Sequence, residues 1–283
     1  MNASFKKMFL SGYGPQAKST ILETALYYKD QPTTATQNKT EDEAASNIKS
    51  GYLLRNNHVK SSQVVPFCTS LHIDFLTCPR WLPPGVRMLL KFIRNDDSFV
   101  IIAKTGKYKI KLLELFVEFR KIKLSKQITE KTIKSFVEDG RPYIMPFLQG
   151  KYVTHTIAAH RSSFILSDIC QGSLPKQLLV SFVRHDSFNS LQKNNGFIFE
   201  NLKIKSLAFK VNGENVPPQE YRPDFNTAPP DCLREYQHFM NAIGVKRLNT
   251  GVAITIEDFV NTCTFFVLDL TPEQCNNHHT HGK

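Results

Sequence analysis

No apolar run in this sequence approaches the ~20 residues that a helix needs to cross a bilayer, so no membrane partner is expected. Neither GxGxxG nor GxxxxGK[ST] occurs, which removes the common Gly-rich phosphate cradles. No fixed-period repeat and no nucleophile elbow is present. The opening stretch "MNASFKKMFLSGYGPQ" lacks a sustained apolar segment and a small-residue cleavage site, so it does not read as a secretory signal. Cys68, Cys78, Cys170, Cys232, Cys263 and Cys275 are widely spaced, with no C-x-x-C pair. That spacing fits reduced thiols of an intracellular protein better than a disulfide framework.

What is present is ordinary in bulk. The 283 residues are 41% hydrophobic and 22% charged, enough for one large β domain or two smaller ones. The net charge of +11 is compatible with nucleic acid, an anionic surface or solubility alone.

Along the chain, Ile21, Leu22, Ala25 and Leu26 give a helical stripe within residues 16–28. Residues 29–63 are polar and read as a loop. Strand-like alternation follows in "SLHIDF" and in the two apolar runs of "VRMLLKFIRNDDSFVIIA", split by a turn at Asn95–Ser98. The longest such stretch is "KYKIKLLELFVEFRKIKL". Tyr108, Ile110 and Leu112 alternate with Lys107, Lys109 and Lys111; the phase slips at Leu112-Leu113 and again at Arg120-Lys121. Alternation with slips is the pattern of a bent strand with bulges. "SKQITEKTIKSFVED" predicts a helix. "KYVTHTIAAH", the run Leu178–Val183 and "CTFFVLDL" predict strands, and "CLREYQHFMNAIG" predicts a helix capped at Gly244. Asn212-Gly213 after alternating hydrophobics predicts a type I′ hairpin. Many short strands and long loops point to a β-sandwich or jelly roll.

Three groups of residues invite a chemical reading. Cys275, His278, His279 and His281 are metal-ligand types, but the histidines crowd together and no upstream pair completes a site. They read as a polar tail, and no metal or other cofactor is expected. His155, His160 and His185, with Asp168 and Asp186, lack any local catalytic signature and read as structural or surface groups. Residues 104–126 interleave lysines with Tyr108, Phe116 and Phe119, the ingredients of a single-strand nucleic-acid face. Tyr108 and Phe119, however, lie on the apolar phase and are expected to point inward beneath a solvated lysine face.

An ordered set of segments carries a family likeness: "LSGYGPQAKSTILETALYYKD", "SLHIDF", "LPPGVRMLLKFIRNDDSFVI", "KIKLLELFVEFRKIKLS", "SLPKQLLVSFVRHDSFN", "LAFKVNGENVPPQEYRPDF", "EYQHFMNAIG" and "FFVLDLTPE". Together they resemble the major capsid protein of Polinton (Maverick) elements and adintoviruses, of the hexon-like double jelly-roll lineage. The resemblance implies an all-β protein holding parts of two jelly-roll β-sandwich domains, with a few short helices and long loops. It implies an N-terminal segment at 1–28, a polar loop at 29–66, closing strands of the first roll at 67–126 and a linker at 127–150. Residues 151–283 would be the first part of the second roll. Both rolls would then be incomplete, and the chain would need a partner or aggregate, because unpaired strand edges stay open. The implied role is structural and non-catalytic: a subunit, or relic, of an icosahedral shell. Its partners would be copies of itself as a homotrimer, other capsid proteins and, weakly, DNA through 104–126. Its place would be the virion or the cell interior.

Overall fold

Phe265-Phe266-Val267-Leu268 is an unbroken apolar run, the pattern of a strand buried on both faces. It behaves as one in the computed structural model of the protein, which describes residues 20–28, 51–188, 195–243 and 252–270. Positions 72, 79, 84, 104–105, 141, 148, 171–173, 228 and 253 are not among those described. In chain order the helices are α1 (Gly51–Val59), α2 (Asp97–Val100), α3 (Lys126–Val137), α4 (His185–Phe188), α5 (Leu233–Ala242) and α6 (Ile256–Asn261). The strands are β1 (Gln177–Val180), β2 (Lys210–Val211), β3 (Glu214–Asn215) and β4 (Phe266–Asp269).

β1 and β4 pair antiparallel, with Leu178 opposite Leu268 and Val180 opposite Phe266. Alternation sends their side chains to two cores. Phe265 and Val267 join Phe199, Cys232, Phe239, Ile254, Phe259 and Cys263 on the side of α5 and α6. Phe266 and Leu268 join Phe209 and Tyr221 on the other side, with Leu178, Val180 and Phe182 packed against them. β2 and β3 form the hairpin expected at Asn212-Gly213, whose φ values of 52° and 90° are the positive pair a type I′ turn requires.

α6 begins with a capping box. Thr255 accepts from the Asp258 N–H at 3.1 Å, and the Asp258 carboxylate accepts from the Thr255 N–H at 2.9 Å. Thr255→Ala removes the acceptor of the Asp258 N–H, while the Asp258 carboxylate still holds the backbone N–H at 255. The substitution is expected to lower stability by about 1 kcal/mol, measurable as a shift in the urea midpoint.

The all-β expectation is overturned. The architecture is mixed, and among the described residues each of the two sheets has only two strands. Among the described residues no jelly-roll sandwich forms. "SLHIDF" leads into a 3-10 turn at Asp74–Thr77, and the turn expected at Asn95–Ser98 opens α2. Residues 107–125 run without turn, bend, helix or ladder, and 149–158 likewise form no strand. Part of the expected polar loop is α1, while the first predicted helix shrinks to a 3-10 turn at Glu23–Ala25. The physical reason is that period-2 alternation fixes which side chains share a face. A strand exists only when a second strand takes its hydrogen bonds.

The predicted helices at 125–139 and 232–244 do form, as α3 and α5. Gly244, the tail from Thr271 onward and residues 29–50 lie outside the described residues.

Candidate functional site

The burial of apolar side chains divides the chain. Apart from Leu22, every buried apolar residue described lies between positions 199 and 268. Between 81 and 165 many large apolar side chains stand in solvent instead, among them Leu89 at 91% exposure, Phe116 at 72% and Ile165 at 89%, while others such as Phe99, Ile101 and Val117 are half-buried. Exposed apolar side chains in this number make the region a candidate interaction surface.

This exposed region is held by a few specific contacts. The Arg94 guanidinium donates to the Asp97 carboxylate at the start of α2 and to the Ile110 carbonyl at 3.3 Å. The Ile110 N–H donates to the same carboxylate at 3.1 Å. The Arg94 hydrogen bond, and then the Ile110 N–H, hold the Asp97 carboxyl below the usual carboxylate range. Further along, Tyr143 donates to the Trp81 carbonyl, and Arg80 to the Ile144 carbonyl at 2.7 Å. Phe75 meets Phe147 edge-on at 5.6 Å. Phe99, on α2, reaches the other region: it packs edge-on against Phe197 at 5.2 Å and lies over Gly196. A Cβ at Gly196 would fall 2.8 Å from the Phe99 ring and 3.1 Å from the Ser187 carbonyl. Only a glycine admits this approach without a shift.

Lys107, Lys109, Lys111, Arg120, Lys121 and Lys123 are all exposed. So are Tyr108 at 54% and Phe119 at 48%, against the expectation that they point inward. Basic and aromatic groups therefore reach solvent together along this stretch.

The polar groups of the buried half converge on Tyr221. Its hydroxyl donates to the Val267 carbonyl at 3.0 Å and lies 2.8 Å from His238 Nδ1. With its one proton on the carbonyl, the hydroxyl oxygen is left to accept from the ring N–H. The Arg234 guanidinium sits 5.2 Å over the Tyr221 ring and donates to the carbonyls of Gln219 and Glu220. Burial pushes the Tyr221 hydroxyl up to about 12 and the Cys232 thiol up to about 11. Neither is a nucleophile at neutral pH, and the cluster reads as a structural joint between Tyr221, α5 and β4.

Burial, then Arg234, holds the His238 imidazole below its usual value of 6.5. A base with a lowered folded value binds its proton less well in the folded state, so acid favours unfolding. The stability His238 contributes is complete above pH 6.5 and is lost as pH falls through the folded value. Glu235 acts oppositely: burial raises its carboxyl above 4.5, so its penalty at neutral pH is relieved as pH drops through the raised value. Urea midpoints between pH 7.5 and 5.5 are expected to fall for the native chain and to flatten in His238→Gln. An unchanged slope in that variant would reject the assignment to His238.

The remaining residues singled out from the sequence do not come together. His155, His160 and Asp168 are exposed on a segment without regular structure, and His185 and Asp186 lie exposed in α4. Among the described residues no group of three or more His, Cys, Asp or Glu could hold a metal ion. Cys275, His278, His279 and His281 lie outside those residues. Cys68, Cys78, Cys170, Cys232 and Cys263 are unbridged. No described helix is long and apolar enough to cross a membrane. The Tyr221 joint was missed from sequence because its members, from 221 to 267, share no local spacing. The α6 cap carried a signal that could have been used: Thr255-x-x-Asp258 before an apolar pair. Comparisons with protein-family models, curated proteins and solved structures find no match to this chain.

Proposed function

We propose that this chain is a structural, non-catalytic subunit, or the relic of one, that works by associating with copies of itself and with other shell proteins of a virus or transposon. The observation that carries this reading is the contrast in burial. Residues 199–268 bury a two-sided core, while residues 81–165 hold many of their large apolar side chains in water and, among the described residues, bury none fully. Exposed apolar area is worth ~25 cal/mol per Å² once covered, so association is the strongest force available to this region. The resemblance to capsid subunits supplies the class of assembly, a trimer that tiles a shell, and places the protein in the virion or cell interior. A jelly-roll architecture forms no part of the reading. Light scattering of the eluting protein and electron microscopy test it. Trimers or larger assemblies are expected at micromolar concentration, and a monomer at every concentration with a cooperative melt would reject the proposal.

The exposure of Tyr108, Phe116 and Phe119 beside Lys107, Lys109 and Lys111 favours a second reading, a basic module that binds single-stranded nucleic acid. Binding that falls steeply with salt supports it, and no binding at low salt removes it.

A further inference from the structure

Residues 107–124 carry two features that bear on what covers them. Among the described residues, no backbone–backbone hydrogen bond involves 109–124. The backbone of Ile110 is nevertheless engaged on one side, by Asp97 and Arg94. Neighbouring residues of an extended chain turn their N–H and C=O to opposite sides. Lys109 and Lys111 therefore turn theirs away from that clasp, to the side left open.

The second feature is the order of charges. Three lysines precede the phase slip at Leu112-Leu113, and Glu114 and Glu118 follow it. A bulge at the slip keeps the charged positions on one face through both halves: 107, 109 and 111 before it, 114 and 118 after it. Tyr108, Ile110, Leu112, Leu113, Leu115 and Val117 then share the other face.

From this we infer that residues 107–118 pair antiparallel with the same residues of a second copy, about a two-fold axis at Leu112-Leu113. The inference rests on the self-association reading and names one contact of it: a two-fold contact joins copies in pairs and is separate from the contact that closes a trimer. In this register Lys111 faces Glu114 of the copy and Lys107 faces Glu118, each twice by symmetry. Lys109 lies against Phe116. On the other face Ile110 meets Leu115, and Tyr108 meets Val117. The slip is essential to it. In a regular two-fold antiparallel ladder, opposed residues differ by an even number, so Lys111 could not face Glu114 without the bulge. Like charges never meet in this register, and four ion pairs form per dimer.

A charge exchange in the full chain tests this by sedimentation equilibrium, with circular dichroism to confirm that each variant keeps its helices. Lys111→Glu alone and Glu114→Lys alone are each expected to weaken self-association about tenfold, since each puts like charges opposite one another twice. The double variant restores the opposite charges and is expected to return within about twofold of the native chain. Should either single variant lose its helices, the pair Lys107→Glu and Glu118→Lys repeats the exchange at the second contact. Self-association that ignores the single variants, or that the double variant fails to restore, overturns the register and leaves the assembly reading standing. A chain that is monomeric throughout overturns both. A monomer that binds a single-stranded oligonucleotide at low salt assigns the stretch to nucleic acid, and overturns it too.

Discussion

Phe239→Ala is expected to cost about 3–5 kcal/mol, the range for deleting a fully buried phenylalanine. The ring is 0% exposed and lies where α5 meets β4. It stacks on Phe265 at 5.5 Å with planes 13° apart, and tilts against Phe259 at 5.8 Å. Phe265 in turn meets Phe199 at 4.7 Å. Removal opens a cavity at the centre of this aromatic set, where Phe265 and Phe259 lose contact at once. A domain's whole stability is ~5–15 kcal/mol, so the variant should unfold at a much lower urea concentration or fail to accumulate as folded protein. Leu89→Ala is the contrast: at 91% exposure the change should stay within about 0.5 kcal/mol. A loss below about 1 kcal/mol for Phe239→Ala would mean that the α5–β4 contact is not the core.

The second large effect is kinetic. Trypsin should cut dilute protein after Lys107, Lys109, Lys111, Arg120, Lys121 or Lys123 at least about tenfold faster than after Arg234 or Lys210. Cleavage follows local opening, which is cheapest where backbone hydrogen bonds and buried contacts are fewest. Arg234 is held by two backbone carbonyls and an aromatic ring, and Lys210 lies in a hairpin. Raising the protein concentration should then slow the cuts after Lys107, Lys109 and Lys111, because the proposed pairing of 107–118 would cover them. Equal rates at both sets of sites would remove the contrast between the two regions. Rates at these three sites unaffected by concentration would count against assembly through 107–118.

How much of this was legible in the sequence follows from how local each signal is. α3, α5 and the Asn212-Gly213 hairpin depend on neighbours within a few residues, and they were readable. β4 was readable because Phe265–Leu268 is apolar without a break and so must be buried on both faces. The stretch 107–124 alternates, with slips at Leu112-Leu113 and Arg120-Lys121, yet it forms no ladder within the described residues. Its alternation states a preference for a pleated surface and leaves the partner unnamed. The inward orientation expected for Tyr108 and Phe119 failed for the same reason: a face becomes interior only when something packs on it. In the candidate joint, no spacing links Tyr221 to His238 and Val267, so nothing short of the fold could assemble them.

The hydroxyl of Tyr221 has a further consequence. Leu270 N–H bonds the Lys176 carbonyl, so in this register the bonded pairs of the β1–β4 ladder are 176 with 270, 178 with 268 and 180 with 266. Val267 therefore turns its carbonyl away from β1, toward where a third strand would dock. Tyr221 already occupies that carbonyl. A side chain has closed the outer edge of β4 at this carbonyl, and there it turns a template into a terminus. The molecule is left with polarity: a β4 edge capped at Val267, and the exposed stretch 107–124 that the proposed assembly would cover.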